Sequence, residues 1–242
     1  MKTSNILLTV AAVIFLTTLV AFDLRLKGKY LEMKKLGLGK YHRLNRFNDY
    51  DEVKIKQFTE LNLQSANTLN VKIEYGEKQA VWVRKRSKER VAVSQNGDIL
   101  SIDLNKIKDT TDRDWSDIVI ISPTLRKIRT TAFKFSKTRG RYYEEFVTMI
   151  EGFRKDSLTI IVGASTKVSL NRNRIKSLNS SVGDNTGDAK LSIESNNDIE
   201  ALKLDVKGKS NVEVLDNEVN HIEHNIADSA IVTFRGKTLE KL

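Results

Sequence analysis

The chain of 242 residues contains no cysteine, a single proline (Pro123) and only three histidines. Without cysteine there is no disulfide scaffold, thiol nucleophile, lipid-modified cysteine or Cys-based zinc site. One proline and 12 glycines leave little room for a long flexible linker. Linear catalytic signatures are missing as well: no Gly-x-Ser-x-Gly elbow, phosphate loop, dinucleotide fingerprint or metalloprotease helix occurs. No catalytic residue, metal site or cofactor is therefore assigned, and a non-enzymatic protein is expected. What is present, 40% hydrophobic and 30% charged residues, is globular material for one large or two small domains.

Positive charge is in excess, with a formal net charge of +10, which in isolation suggests nucleic acid. Its location argues otherwise. Residues 1–46 carry nine Lys/Arg against two acids, so most of the excess lies beside the first apolar segment. That segment, Ile6 to Phe22, has no charge over 17 residues, the lower edge of a membrane-spanning length. Its threonines can return their hydroxyls to the helix backbone, and no small-x-small cleavage site follows. An uncleaved transmembrane signal anchor over 1–23 is expected, with residues 6–22 as the membrane partner. A basic juxtamembrane spacer over 24–52 follows. There Arg25, Lys27, Lys29, Lys34 and Lys35 would meet anionic headgroups. Nucleic acid is not expected as a partner. The positive-inside rule would hold this flank in the cytoplasm, whereas the β-rich body argues for export, and the body is expected outside.

From Val53 the pattern turns to period two, the mark of strands with one buried face. Leu69-Asn-Val71-Lys-Ile73, Val81-Trp-Val83, Val91-Ala-Val93 and Ile99-Leu-Ser-Ile102 alternate, with Asn96-Gly97 as a hairpin signal. This is a β-strand block over 53–122. Beyond it, apolar anchors recur about every twenty residues: Val168-Ser-Leu170, Leu191-Ser-Ile193, Val212-Glu-Val214 and Ile231-Val-Thr233. Second pairs follow, among them Ile175/Leu178, Ile199/Leu202, Val219/Ile222 and Leu239/Leu242. A lone unit cannot bury its apolar edge, but stacked copies share a core. The expected fold is all-β, a β-solenoid or β-helix of stacked rungs over 123–242. It carries a helical insertion at 140–156, where Tyr143, Phe146, Val147, Ile150 and Phe153 keep a helical spacing.

Candidate sites are few. Arg84-Lys-Arg86 with Lys88 and Arg90 is the densest basic run of the body, and Trp82 stands close by. If Trp82 faces solvent, an aromatic beside cations could bind a glycan, an acidic polymer or headgroups. Asp109, Asp112, Asp114 and Asp117 surround Trp115 but lack calcium-loop spacing, and Gly183 to Asp188 reads as a polar turn. His221 and His224 flank Ile222 and Glu223 and are expected to point outward, without further metal ligands; His42 lies in the spacer.

The stretches Phe58-Thr-Glu-Leu61-Asn-Leu63, Leu69-Asn-Val71-Lys-Ile73-Glu-Tyr75-Gly76, Val81-Trp-Val83 and Asp98-Ile-Leu100-Ser-Ile102 resemble the opening of a bacterial family. That family is labelled "putative auto-transporter adhesin, head GIN domain". The resemblance covers roughly residues 57–240 and implies a β-solenoid protein of the bacterial cell envelope. Here the turns are lysine-rich and the Gly-Ile-Asn tripeptide is absent. The expected function is a single-pass membrane-anchored envelope protein that presents a solenoid face to a glycan or an envelope protein, in the manner of an adhesin. The alternatives are a polysaccharide-active β-helix enzyme, which needs a carboxylate- and aromatic-lined groove, and an envelope scaffold or sensor.

Overall fold

The computed structural model describes residues 3–35, 46–105, 116–133, 146–184 and 187–241. The chain divides into two compact units, residues 1–48 and 49–242. The described residues of the first include the helix α1 (Thr3–Lys35). Thr17 and Thr18 donate their hydroxyls to the carbonyls of Val13, Ile14 and Phe15, which satisfies these polar groups along an apolar stretch. No helix among the described residues is long and apolar enough to cross a membrane, which overturns the transmembrane anchor. Across the described side chains 13–29, Asp23, Arg25, Lys27 and Lys29 interrupt the apolar character, and each is exposed. Lys34 and Lys35 fall in the last turn of the same helix.

Among the described residues, the second unit is built from seventeen strands. The first seven are β1 (Tyr50–Val53), β2 (Glu60–Leu63), β3 (Leu69–Glu74), β4 (Ala80–Arg84), β5 (Val91–Asn96), β6 (Ile99–Leu104) and β7 (Ser116–Ile121). Next come β8 (Lys127–Thr130), β9 (Thr148–Glu151), β10 (Arg154–Val162), β11 (Lys167–Asn171) and β12 (Arg174–Val182). The last are β13 (Lys190–Ile193), β14 (Asp198–Val206), β15 (Asn211–Val214), β16 (Glu218–Ile226) and β17 (Ile231–Phe234). They make a nine-stranded sheet, β1-β4-β7-β3-β9-β11-β13-β15-β17, and an eight-stranded one, β16-β14-β12-β10-β8-β2-β6-β5.

This corrects the expected solenoid. The two sheets are mixed and neither closes. β1, β4 and β7 pair antiparallel, as do β5 and β6, while the remaining pairs are parallel. Strands of the first half enter the same sheets by crossovers, β2 against β8 and β3 against β9, so both sheets run through both halves. The helical insertion is corrected too. Thr148 and Ile150 are buried and Met149 faces out, so 148–151 is strand, and β10 begins at Arg154. Ile150 takes the buried face of β9 and Met149 the outer one, because β3 and β11 pair with this stretch on both sides. The rest of the expected insertion, 140–145, lies outside the described residues.

In the second half the twenty-residue spacing becomes a parallel register. Ile175 pairs with Ile199 and Ile199 with Val219; Leu178 pairs with Leu202 and Leu202 with Ile222. In the other sheet Val168, Leu191 and Val212 align in one row and Leu170, Ile193 and Val214 in another. The last anchor slips by one residue. Val232 and Phe234 align with Val212 and Val214, and Ile231, 60% accessible, faces solvent. A one-residue shift in a period-two element moves every side chain to the other face. Leu239 is 54% accessible in a terminal 3-10 turn (Gly236–Lys241), so it does not join Ile199 and Val219 in the core.

A buried amide ladder fixes this register. Asn173, Asn197 and Asn217 each stand directly before a long strand, at the corner where the chain passes between sheets. Asn197 Oδ1 accepts from the backbone N–H of Asn173 at 3.0 Å and from its Nδ2 at 2.9 Å. Asn217 Oδ1 accepts the N–H of Asn197 at 3.1 Å, and Thr238 Oγ1 accepts the N–H of Asn217 at 3.0 Å. Each Nδ2 in turn donates to a carbonyl at the end of a neighbouring strand: Ile150, Leu170 and Ile193. A corner must leave the strand ladder, and these side chains satisfy the groups that it orphans.

Candidate functional site

Period two gives the nine-stranded sheet an outer face as regular as its core face. On β4 the buried Val81 and Val83 turn Trp82 and Arg84 outward. Trp82 is half-buried, opposite Glu52 of β1 and Val119 of β7. Arg84 forms an ion pair with Asp117 and lies 5.9 Å from the centre of the Tyr50 ring. Burial, then the Asp117 carboxylate, push the Tyr50 phenol above its ordinary value, partly offset by Arg84. Lys85 and Arg86 follow in a 3-10 turn (Lys85–Ser87) that is tied down by the N–H of Lys85 on the Asp49 carbonyl. Lys88 pairs with Asp51 at 2.9 Å and holds that carboxyl below the usual carboxylate value. Lys85, Arg86 and Lys88 are exposed; Arg90 is half-buried. Trp82 and Arg84 thus share the outer face of β4, Lys85, Arg86 and Lys88 follow in the turn beyond its end, and Arg90 directly precedes β5 of the other sheet.

A second constellation lies further along the same face, over β9, β11, β13 and β15. It is a groove of about 380 Å³. Its floor is Ser169 and Ser192, paired across β11 and β13 and only 8% and 6% accessible because taller side chains stand on both sides. Lys167 and Lys190, also paired, form one wall, and Glu194 at the end of β13 forms the other. Val147 and Met149 close one end; Glu213 and Leu215 close the other. Ser192 Oγ donates to Glu194 Oε1 at 2.8 Å and Ser169 Oγ to the same oxygen at 3.2 Å. Lys190 Nζ meets Glu213 Oε1 at 2.9 Å. Four strands at roughly 4.8 Å spacing make the groove about 14 Å long.

Sequence reasoning missed this groove although its signal was in plain sight. Lys167-Val-Ser-Leu170 and Lys190-Leu-Ser-Ile193 are the same tetrapeptide pattern. Reading only the apolar positions as core left the alternating Lys and Ser unassigned. Which strands lie beside one another, and so which rows those residues form, is a property of the sheet order.

The other candidates are placed as follows. His221 lies 3.5 Å from Glu223, which also pairs with Lys203 at 3.1 Å. The Lys203 hydrogen bond is the main cause holding the Glu223 carboxyl below its ordinary value. His224 sits in register with the buried Leu204 and is exposed only because β16 is an edge strand. Among the described residues no three His, Cys, Asp or Glu side chains gather as metal ligands. Asp109, Asp112, Asp114, Trp115 and His42 lie outside the described residues.

No family model matches the chain, and no curated protein does. Among solved structures it is similar to a protein of Bacteroides fragilis described as a "putative adhesin". Identity is 13%, covering 77% of this chain and 96% of that one, with a TM-score of 0.48. A "putative adhesin" from Parabacteroides merdae gives 12% identity, 77% and 95% coverage and a TM-score of 0.42. A "putative lipid binding protein" from Parabacteroides distasonis gives 11%, 78% and 94%, and 0.38. At these identities and scores no residue role or activity passes from those proteins to this chain.

Proposed function

We propose that this is a non-enzymatic binding protein of the cell envelope that takes a glycan or an envelope protein across the outer face of its nine-stranded sheet. The observation that carries the reading is the groove over β9–β15, a recess floored by small hydroxyl side chains and walled by charged ones. Its carboxylates are already engaged. Glu194 accepts two serine hydroxyls and Glu213 an ammonium, so both serve as positioned acceptors rather than as a proton donor and a nucleophile left open to substrate. Trp82 and Arg84, with the basic turn beyond them, supply a second contact on the same face, and two separated contacts on a rigid sheet raise avidity for an extended ligand.

The test is a glycan array probed with the labelled full chain, run beside an assay for newly released reducing ends. The reading expects saturable binding that Ser169→Leu, which fills the floor, and Arg86→Glu each weaken, with no hydrolysis. Turnover of a bound polysaccharide would replace it with the enzyme alternative; a blank array and no captured envelope protein would remove it.

A further inference from the structure

We infer that the groove over β9–β15 accommodates an acidic sugar residue of a carbohydrate chain, with Lys167 receiving the carboxylate. This rests on the binding reading above and adds the class of ligand. The inference follows from which charges in the groove are spent. Lys190 and Glu213 neutralise each other at 2.9 Å, while Glu194 accepts hydrogen bonds from Ser169 and Ser192 and keeps its charge on the opposite wall. Lys167 makes no ion pair or side-chain hydrogen bond with the described residues, although it is half-buried on the groove wall. An ammonium on a groove wall with no ion-pair partner within 4.0 Å among the described residues favours a negative group at that end of whatever enters, while the Glu194 wall favours hydroxyl donors.

The remaining surfaces suit a sugar ring. Each serine oxygen that donates to Glu194 keeps lone pairs to accept from a ligand hydroxyl, and the second oxygen of Glu194 can accept another. Val147 and Met149 at one end offer an apolar patch for the C–H face of a pyranose, with Leu215 at the far end, and the volume lies within the range of small-ligand sites. An acidic peptide is the poorer fit. Extended peptides gain affinity by pairing with a sheet edge, whereas the groove lies on the face of interior strands whose backbone groups are already paired on both sides.

The experiment is isothermal titration of the full chain with tetragalacturonate, its methyl ester (the same rings without charge), a tetraglutamate peptide and sulfated dextran. Each is run against wild type, Lys167→Met, Ser192→Ala and Lys209→Met, an exposed lysine outside the groove. The expected result is that tetragalacturonate binds and that Lys167→Met weakens it by about tenfold or more, the worth of one charge-assisted hydrogen bond. Ser192→Ala weakens acid and ester alike, Lys209→Met changes neither, and Lys167→Met leaves the ester unaffected. The inference is overturned if the ester binds as tightly as the acid or if the peptide binds more tightly. It is also overturned if Lys209→Met matches Lys167→Met, or if sulfated dextran alone binds, since either outcome shows diffuse charge attraction. Neutral-sugar binding that Ser192→Ala weakens would sink the acidic-ligand inference and leave the binding reading standing; no binding to any arm would sink the inference, and a blank array together with no captured envelope protein would take the reading with it.

Discussion

Replacing Asn197 with alanine tests the buried amide ladder most directly. The substitution removes the oxygen that accepts the Asn173 N–H and Nδ2, and the Nδ2 that donates to Leu170 and Glu194. The losses are unequal. Leu170 O keeps the N–H of Glu194, and Asn173 Nδ2 keeps the carbonyl of Ile150. The Asn173 N–H keeps nothing and lies in a residue only 2% accessible, so it bears the full desolvation cost of an orphaned donor. That cost is about 1–3 kcal/mol, and the weakened bonds add about 1 kcal/mol more, giving roughly 2–4 kcal/mol. Against a total stability of about 5–15 kcal/mol this is a large fraction. With a urea slope of about 2 kcal/mol/M the midpoint should fall by roughly 1–2 M with the slope unchanged. Equilibrium urea unfolding followed by circular dichroism measures it. Asn179→Ala, on a half-buried outward position of β12, is the control and should shift the midpoint little. If the Asn197 and Asn179 variants lose the same small amount, the ladder is decoration and the argument for corner satisfaction is wrong. A cycle with Asn173→Ala should show coupling of about 0.5–3 kcal/mol, since the two side chains share one network.

Two further outcomes follow from the structure. Gly97 and Gly208 both have positive φ, +60° and +59°, but a methyl at Gly97 meets open space while one at Gly208 meets the carbonyl oxygens of Asp184 and Gly187. Gly97→Ala should cost about 1–2 kcal/mol from backbone strain alone, and Gly208→Ala about 1–3 kcal/mol more; equal urea midpoints would refute the contact. The carboxyls of Asp51, Asp156 and Glu223 are lowered chiefly by hydrogen bonds from Lys88, Lys176 and Lys203. A depressed carboxyl contributes stability that is present above its unfolded value, here near 3.8 to 4.5, and lost as pH falls through the folded value. The thermal midpoint should therefore drop below about pH 4.5, less steeply in high salt because Asp156 and Glu223 are exposed and Asp51 is only half-buried. NMR titration of Asp156 in Lys176→Met should move its midpoint up toward 3.8; an unmoved midpoint would break the assignment.

Much of the body was legible along the chain. Alternation at Leu69–Ile73 and at Ile99–Ile102 marks β3 and β6, and the Asn96-Gly97 turn joins β5 to β6. Spacing alone placed Ile199 against Val219 and Leu202 against Ile222. These succeed because a strand's buried face is written in its own residues, and a constant step between strands fixes which residues are level. Reading failed where neighbours decide. Phe146 to Phe153 has a helical spacing, yet two flanking strands claim 148–151 for the sheet. Ile231 looks like the equivalent of Val212, yet the register places Val232 there.

By itself, then, the sequence determined that the body is β-rich, which aliphatic residues are buried in most strands, and that no cysteine chemistry operates. Only the tertiary structure decided that two mixed, open sheets form, because crossovers and antiparallel pairings are choices between distant segments that leave no local mark. It alone brought Lys167, Ser169, Lys190, Ser192, Glu194 and Glu213 into one groove. A side chain's face follows from its own strand, but its company follows from strand order, and that order is settled by the shared core rather than by any single stretch of chain.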